Sequence, residues 1–206
     1  MAEPNTKKTA KMTVSSLTAQ EAEFIRNKTA KPLLWVGMVS IVMLFAGLTS
    51  AIVVRRAEAN WMLFEFPQAF YNSTLIIIIS SLTLIYAARS AKSDNYGGIK
   101  TGVGLTLLLG IGFVFAQFTA YKELVDAGVF LAGAQSNPSG SFMYVLTGLH
   151  LAHLFGGIVV LIVVFVKSLL LKYNSKNILG LQLCAIYWHF LAVLWIYLFL
   201  FLMLMN

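Results

Sequence analysis

Phe142-Met-Tyr-Val-Leu-Thr-Gly-Leu-His-Leu-Ala-His-Leu-Phe-Gly-Gly-Ile-Val-Val-Leu-Ile-Val-Val-Phe-Val166 contains no Asp, Glu, Lys or Arg. At a rise of about 1.5 Å per residue, a helix of this length exceeds the roughly 30 Å of hydrocarbon in a bilayer. Its second half, Ile158–Val166, is continuously apolar, whereas a strand of a membrane barrel alternates in polarity. Four further runs share this character: Leu33–Val54, Ala69–Ala88, Thr101–Tyr121 and Ile178–Met205. The pattern predicts an all-α, polytopic membrane protein, a bundle of five transmembrane helices. Over the 206 residues, 59% are hydrophobic and 11% charged, against roughly half and a quarter in soluble domains. A single cysteine, Cys184, excludes an internal disulfide and a Cys-x-x-Cys metal or redox pair.

The net charge of +7 would suggest nucleic-acid binding in a soluble protein, but here the basic residues lie between the apolar runs. Lys7, Lys8, Lys11, Arg26, Lys28, Lys31, Arg89, Lys92, Lys100, Lys167, Lys172 and Lys176 fall on one side of a five-span topology, and Arg55, Arg56 and Lys122 on the other. The positive-inside rule then predicts a cytoplasmic N-terminus and an external C-terminus. Trp35, Trp61, Tyr86, Tyr121, Tyr144 and Tyr173 lie near the expected helix ends, where interfacial aromatics collect. Residues 1–31 are polar, lack a signal peptide's apolar core, and read as a cytoplasmic tail ahead of a membrane domain spanning 32–206. Within that tail Thr18-x-x-Glu21 resembles a capping box that would start a short helix over Ala22–Asn27, the alternative being an unstructured tail. The outer loop Lys122–Ser141 ends in Gln-Ser-Asn-Pro-Ser-Gly-Ser, turn formers that break helix before the fourth span.

Polar side chains inside the spans cluster at helical spacing. In the second span Asn72, Ser73, Ser80, Thr83 and Ala87 fall within an arc of about 100°. Gly102, Thr106, Gly110, Phe113 and Gln117 share a face of the third, and Gln182, Ala185, His189 and Ala192 a face of the fifth. Small residues let helix backbones approach, and hydroxyl or amide groups find partners there that lipid does not supply. Leu146, His150, His153 and Gly157 form a stripe of the fourth span, and all three histidines lie near the membrane's mid-depth. On residues alone three readings stay open: hydrogen-bonded structural histidines, haem b held between His150 or His153 and His189, or another metal or proton relay. Pumps and ion-coupled transporters place charged residues along their pathways, and the five runs hold none. No acid–base pair, nucleophile elbow or metal triad is recognisable either.

At Phe142-Met-Tyr-Val-Leu-Thr147-Gly148-Leu-His150-Leu-Ala-His153-Leu-Phe-Gly-Gly157 and at Tyr187-Trp188-His189-Phe190-Leu-Ala-Val-Leu-Trp195, the sequence resembles subunit III of the haem–copper terminal oxidases, the cytochrome c oxidase subunit III family. Pro67 with Asn72-Ser-Thr and Ser80-Ser-Leu-Thr83, Gln117-x-x-x-Tyr121-x-x-Leu124-x-x-x-Gly128, and Ser40-x-x-Met43-x-Phe45-Ala-Gly47 extend the likeness over everything after about Lys31. It is similar to the shorter, five-helix bacterial form. The resemblance implies a non-catalytic helical subunit in a proton-pumping oxidoreductase of the aerobic respiratory chain. Such a subunit docks on subunit I beside subunit II and a small subunit IV, in the bacterial plasma membrane. Haems and copper belong to the partner subunits, none to this chain; phospholipid is bound and turnover stability maintained. His150, His153 and His189 then read as hydrogen-bonding groups between helices.

Ile41, Ala120 and Ala192 stand where the family commonly carries a glutamate, a glutamate and an aspartate. Set against the resemblance, these departures call into question a role for this subunit's own buried carboxylates in proton handling. Cytochrome c oxidase is the favoured member over a quinol oxidase or a nitric-oxide-reductase-associated homologue, the donor being chosen by other subunits. From a different class, the competing reading is a haem b membrane anchor of a quinone-linked dehydrogenase.

Overall fold

The computed structural model describes residues 5–57, 66–133, 136–171, 173 and 178–205; Glu58, Trp61, Glu65, Lys172 and Lys176 lie outside them. Five helices follow in order: α1 Asn5–Arg56, α2 Gln68–Lys92, α3 Tyr96–Asp126, α4 Pro138–Leu169 and α5 Leu179–Met205. All are long and apolar enough to cross a membrane, and no strand occurs among the described residues. The chain is a multi-pass membrane protein.

Two compact units divide at residue 39. The described part of the first, residues 5–39, is the beginning of α1. No helix starts at Thr18, correcting the capping-box reading: α1 is already helical from Asn5 and continues through Pro32. Pro32 lacks the N–H that would bond one turn back, and flanking helix formers carry the backbone across that single missing link. Thr29 Oγ1 donates to the Ile25 carbonyl at 2.8 Å, and the Lys28 ammonium lies 5.7 Å from the Phe24 ring centroid.

In the second unit, residues 40–206, α2 packs on α3, α3 on α4, α4 on α5, and α5 back on α2, closing a four-helix ring. Side chains of α1 reach its outside: Tyr197 Oη donates to Thr49 Oγ1 at 3.2 Å, and the Phe45 ring lies 5.8 Å from His153. The α2–α3 pair is closest. Antiparallel register sets Ser73 by Gln117, Thr83 by Thr106 and Ala87 by Gly102, where a Cβ on Gly102 would come within 2.7 Å of the Ala87 Cβ. Only glycine permits that backbone approach.

The helix ends follow local chemistry more than hydropathy. Asn95 and Asn137 are N-caps, accepting from Gly98 N–H at 3.1 Å and Gly140 N–H at 3.0 Å, and Pro138 opens α4 where its missing N–H costs nothing. At the end of α3, Val129 N–H reaches Leu124 O and Gly128 N–H reaches Val125 O, both at 2.9 Å, with Gly128 at φ +77. These are the two bonds of a Schellman motif, and buried Val129 and Leu124 provide its apolar clasp. Thus α3 runs beyond the expected Tyr121, and Glu123, expected in a solvated loop, is helical. Its carboxylate Oε2 accepts the Ala69 N–H at 3.3 Å, placing negative charge at the N-terminus of α2.

Candidate functional site

Ser80, Thr83, Thr106, Gln117, Thr147 and His150, among the polar residues singled out along the chain, converge on one seam inside the ring. Trp188 of α5 stands at its centre, 0% exposed. Its indole N–H donates to Ser80 Oγ on α2 at 3.0 Å. Gly110 of α3 and Gly157 of α4 make room for the ring: a Cβ on Gly110 would lie 2.7 Å from Trp188 Cη2, and one on Gly157 3.4 Å from Cε3. Two helix turns along α5, Trp195 donates to Thr74 Oγ1 at 3.0 Å and meets Phe113 edge-on at 5.1 Å. The two indoles therefore bind α5 to α2, each by one donor that would otherwise have no partner in an apolar interior.

Hydroxyl and amide groups join the other helices. Thr83 and Thr106 share a hydrogen bond at 2.8 Å, Gln117 Nε2 donates to Ser73 Oγ at 3.0 Å, and Tyr121 Oη donates to Thr147 Oγ1 at 3.1 Å. Tyr144 Oη reaches the Val129 carbonyl at 3.0 Å, and its ring lies 5.3 Å from that of Tyr121. Gly148 faces the Tyr121 hydroxyl, which would be 4.0 Å from a Cβ there. Burial of Thr106, Gly110, Phe113 and Gln117 matches the face expected for the third span.

Asn72 departs from expectation: it is exposed on the outside of α2, while Ser73, Ser80, Leu84 and Ala87 form the buried edge. An arc of 100° was wide enough to include it, but the packing seam is narrower. Ser81 and Thr74, not singled out as packing residues, are the bonded partners of His189 and Trp195. Their signal was present in the Asn72-Ser-Thr and Ser80-Ser segments, but runs of adjacent hydroxyls do not reveal which member faces inward.

The histidines take three different environments. His150 is 0% exposed, with its ring 5.1 Å from Trp195 and 6.1 Å from Phe113. His153 sits only half-buried beside the expected stripe; its Nδ1–H donates to the Leu149 carbonyl at 2.8 Å, and Tyr187 Oη donates to its own carbonyl at 3.2 Å. His189 Nδ1 shares a hydrogen bond with Ser81 Oγ. These residues do not fit a haem clamped between two imidazoles: His150 is enclosed by rings of α3 and α5, and His189 turns toward α2. Among the described residues no three of His, Cys, Asp and Glu group closely enough to hold a metal ion.

On the outer surface of the ring, Val42, Phe45, Ala46, Phe190, Val193, Leu194 and Tyr197 line a groove of about 250 Å³ between α1 and α5. Ile41 packs at the edge of the core, and Ala120 and Ala192 are buried, so all three acid-lacking positions face protein. Outside the spans, burial raises the phenol pKa of Tyr173, with Cys184 adding to it.

Residues 60–206 match the family model for cytochrome c oxidase subunit III. A relative from Mycobacterium tuberculosis, named a probable cytochrome c oxidase subunit 3, is 30% identical over 78% of this chain and 80% of its own length. The cytochrome c oxidase subunit 3 of Corynebacterium diphtheriae is 32% identical over 61% of this chain and 60% of its own, and that of Bacillus sp. 26% identical over 80% of each. With the motif segments of α4 and α5 lying at the centre of the packed seam and the match covering most of the chain, this protein belongs to the cytochrome c oxidase subunit III family, as a subunit of a haem–copper oxidase complex.

Proposed function

We propose that the chain is the non-catalytic, structural subunit III of a proton-pumping aerobic oxidase that draws electrons from cytochrome c. The observation that carries this reading is the chemistry of its interior. The five apolar runs contain no Asp, Glu, Lys or Arg, and the seam's hydroxyl, amide and indole groups bond one helix to another. Such groups hold a bundle together; they offer no charged stepping stones for ions.

In this reading the subunit docks on subunit I, beside subunit II and a small subunit IV, which between them carry the haems and copper. The membrane is the bacterial plasma membrane, with residues 1–31 as a cytoplasmic tail and Asn206 outside, the orientation favoured by the basic asymmetry. The α1–α5 groove, lined by side chains that are apolar apart from the Tyr197 hydroxyl, suits an acyl chain of a retained phospholipid. Ser80, Thr83, Gln117, His150, His153 and His189 serve packing and position, as do Thr147, Gly148, Gly157, Tyr187, Trp188, Phe190 and Trp195 of the motif segments.

Oxidase purified from cells lacking this chain tests the assignment. It should keep its haem and copper absorption bands and its initial turnover rate, yet inactivate after fewer catalytic cycles. Loss of a metal centre in that preparation, or a stoichiometric haem b band in the isolated chain that disappears in His189→Leu, would refute it.

A further inference from the structure

The interior of the ring holds two polar side chains whose bonding capacity the protein leaves unused. Neither ring nitrogen of His150 has a hydrogen-bond partner in the protein, and neither does Oε1 of Gln117. Both residues are buried, at 0% and 1% exposure. The amide orientation of Gln117 is set by its neighbour. Ser73 gives its one hydroxyl proton to the Phe70 carbonyl at 2.9 Å, so its oxygen accepts from Gln117 Nε2. Oε1 is therefore the atom left over, and it requires a donor.

Helix register brings the two groups to one level. Antiparallel α3 and α4 are fixed by Tyr121 on Thr147 at 3.1 Å, and by Gly110 opposite Ile158. Gln117 lies one turn from Tyr121 toward Gly110, and His150 one turn from Thr147 toward Ile158. Phe113, one turn before Gln117, is in ring contact with His150. Beside Gln117 on the same buried face, Ala120 carries only a methyl group and supplies no polar partner. Buried polar atoms without protein partners are the places where internal water is held, provided two to four such groups converge.

We propose that Gln117 and His150 together bind one internal water molecule that bridges α3 and α4. The water donates one hydrogen to Gln117 Oε1 and bonds a ring nitrogen of His150. Thr147 Oγ1, one helix turn from His150, is the third group: it donates to the Met143 carbonyl and accepts from Tyr121, and its remaining lone pair would accept the second hydrogen. The bridge continues the Ser73–Gln117 link of α2 and α3 into α4, so three helices share one polar chain.

An electron-microscopy map of the intact oxidase, at a resolution that shows ordered waters, tests this directly. The expected result is a discrete peak about 2.7–3.2 Å from both Gln117 Oε1 and a His150 ring nitrogen. Infrared spectra in ordinary water and in water labelled with heavy oxygen supply a second reading. A sharp, isotope-sensitive O–H band should be present in the wild-type complex and absent from Gln117→Met and from His150→Phe. A direct Gln117–His150 bond with no density between them, density with neither group in range, or an isotope-sensitive band that survives both substitutions would overturn the proposal. Where a variant fails to assemble, the wild-type map still decides.

Discussion

Gly110→Ala adds one methyl group at the point where α3 passes the central indole. The added Cβ would lie 2.7 Å from Trp188 Cη2 and 3.1 Å from Cζ2, against ordinary carbon contacts of about 3.5–4.0 Å. Trp188 must therefore move by close to an ångström. It has no freedom to do so: it is 0% exposed, tethered to Ser80, and backed by Gly157 and Leu191. Overpacking of this kind costs roughly 1–3 kcal/mol, and breaking the indole bond to Ser80 adds about 1 kcal/mol. Alanine's better helix propensity returns up to about 1 kcal/mol, so a net loss of about 1–3 kcal/mol is expected. Gly112→Ala is the internal control, because a Cβ there meets nothing within 4 Å and only the propensity gain remains. Thermal inactivation of the purified complex and the fraction of subunit III that co-purifies in mild detergent measure both variants side by side. Trp188→Phe, which shortens the opposing ring, should partly rescue Gly110→Ala. Equal behaviour of the two glycine variants, or failure of the shorter ring to rescue, would refute the assignment of Trp188 as the packing centre.

Replacing His189 by Leu leaves Ser81 without its cross-helix partner and should weaken subunit retention by roughly 1–3 kcal/mol before electron transfer changes; full retention with abolished oxygen consumption would contradict this. An impermeant thiol reagent applied from outside should label Ala127→Cys but not Ser93→Cys, two exposed positions at opposite ends of α3 and α2; the reverse pattern would invert the orientation. A hydrophobic carbodiimide should modify none of the apolar runs, since Ile41, Ala120 and Ala192 offer no carboxyl group, and peptide mapping that found an adduct there would show that the spans are misread.

The number and kind of helices were legible because length and continuous apolarity leave few alternatives: Ile158–Val166 cannot alternate as a barrel strand, and it indeed lies within α4. The buried face of α3 was also legible, since its glycines, threonine and glutamine repeat at helical spacing in an otherwise bulky helix. Helix ends were read less well. Glu123 and Asp126 belong to α3 because the Leu124–Val129 clasp stops the helix, and that depends on Gly128 taking φ +77 far from any hydropathy boundary. Faces of α4 and α5 were hardest, because a helix apolar all round carries no stripe. His153 accordingly fell beside the seam and not in it.

What selects the faces of those two helices is the shape of their neighbours. Gly110 and Gly157 cut adjacent notches in α3 and α4, and only one side chain of α5, Trp188, fills both. Once that ring is seated, the helical repeat carries Trp195 to Phe113 and Thr74, and turns His189 toward Ser81. The register of α5 thus follows from two missing side chains on other helices and one indole donor that needs Ser80. A bundle specified in this way needs no buried charge to lock its geometry. Ala120, Ala192 and Ile41 fit such a bundle, since none of them brings a charge into it. The same logic makes Ser80 more consequential than its size suggests: Ser80→Ala removes the one oxygen that the buried Trp188 N–H bonds. Its cost should therefore exceed that of Thr119→Ala, an exposed hydroxyl bonded only within its own helix, by roughly 1–3 kcal/mol in subunit retention. Equal retention of the two variants would mean that the notches alone, without the indole bond, set the register of α5.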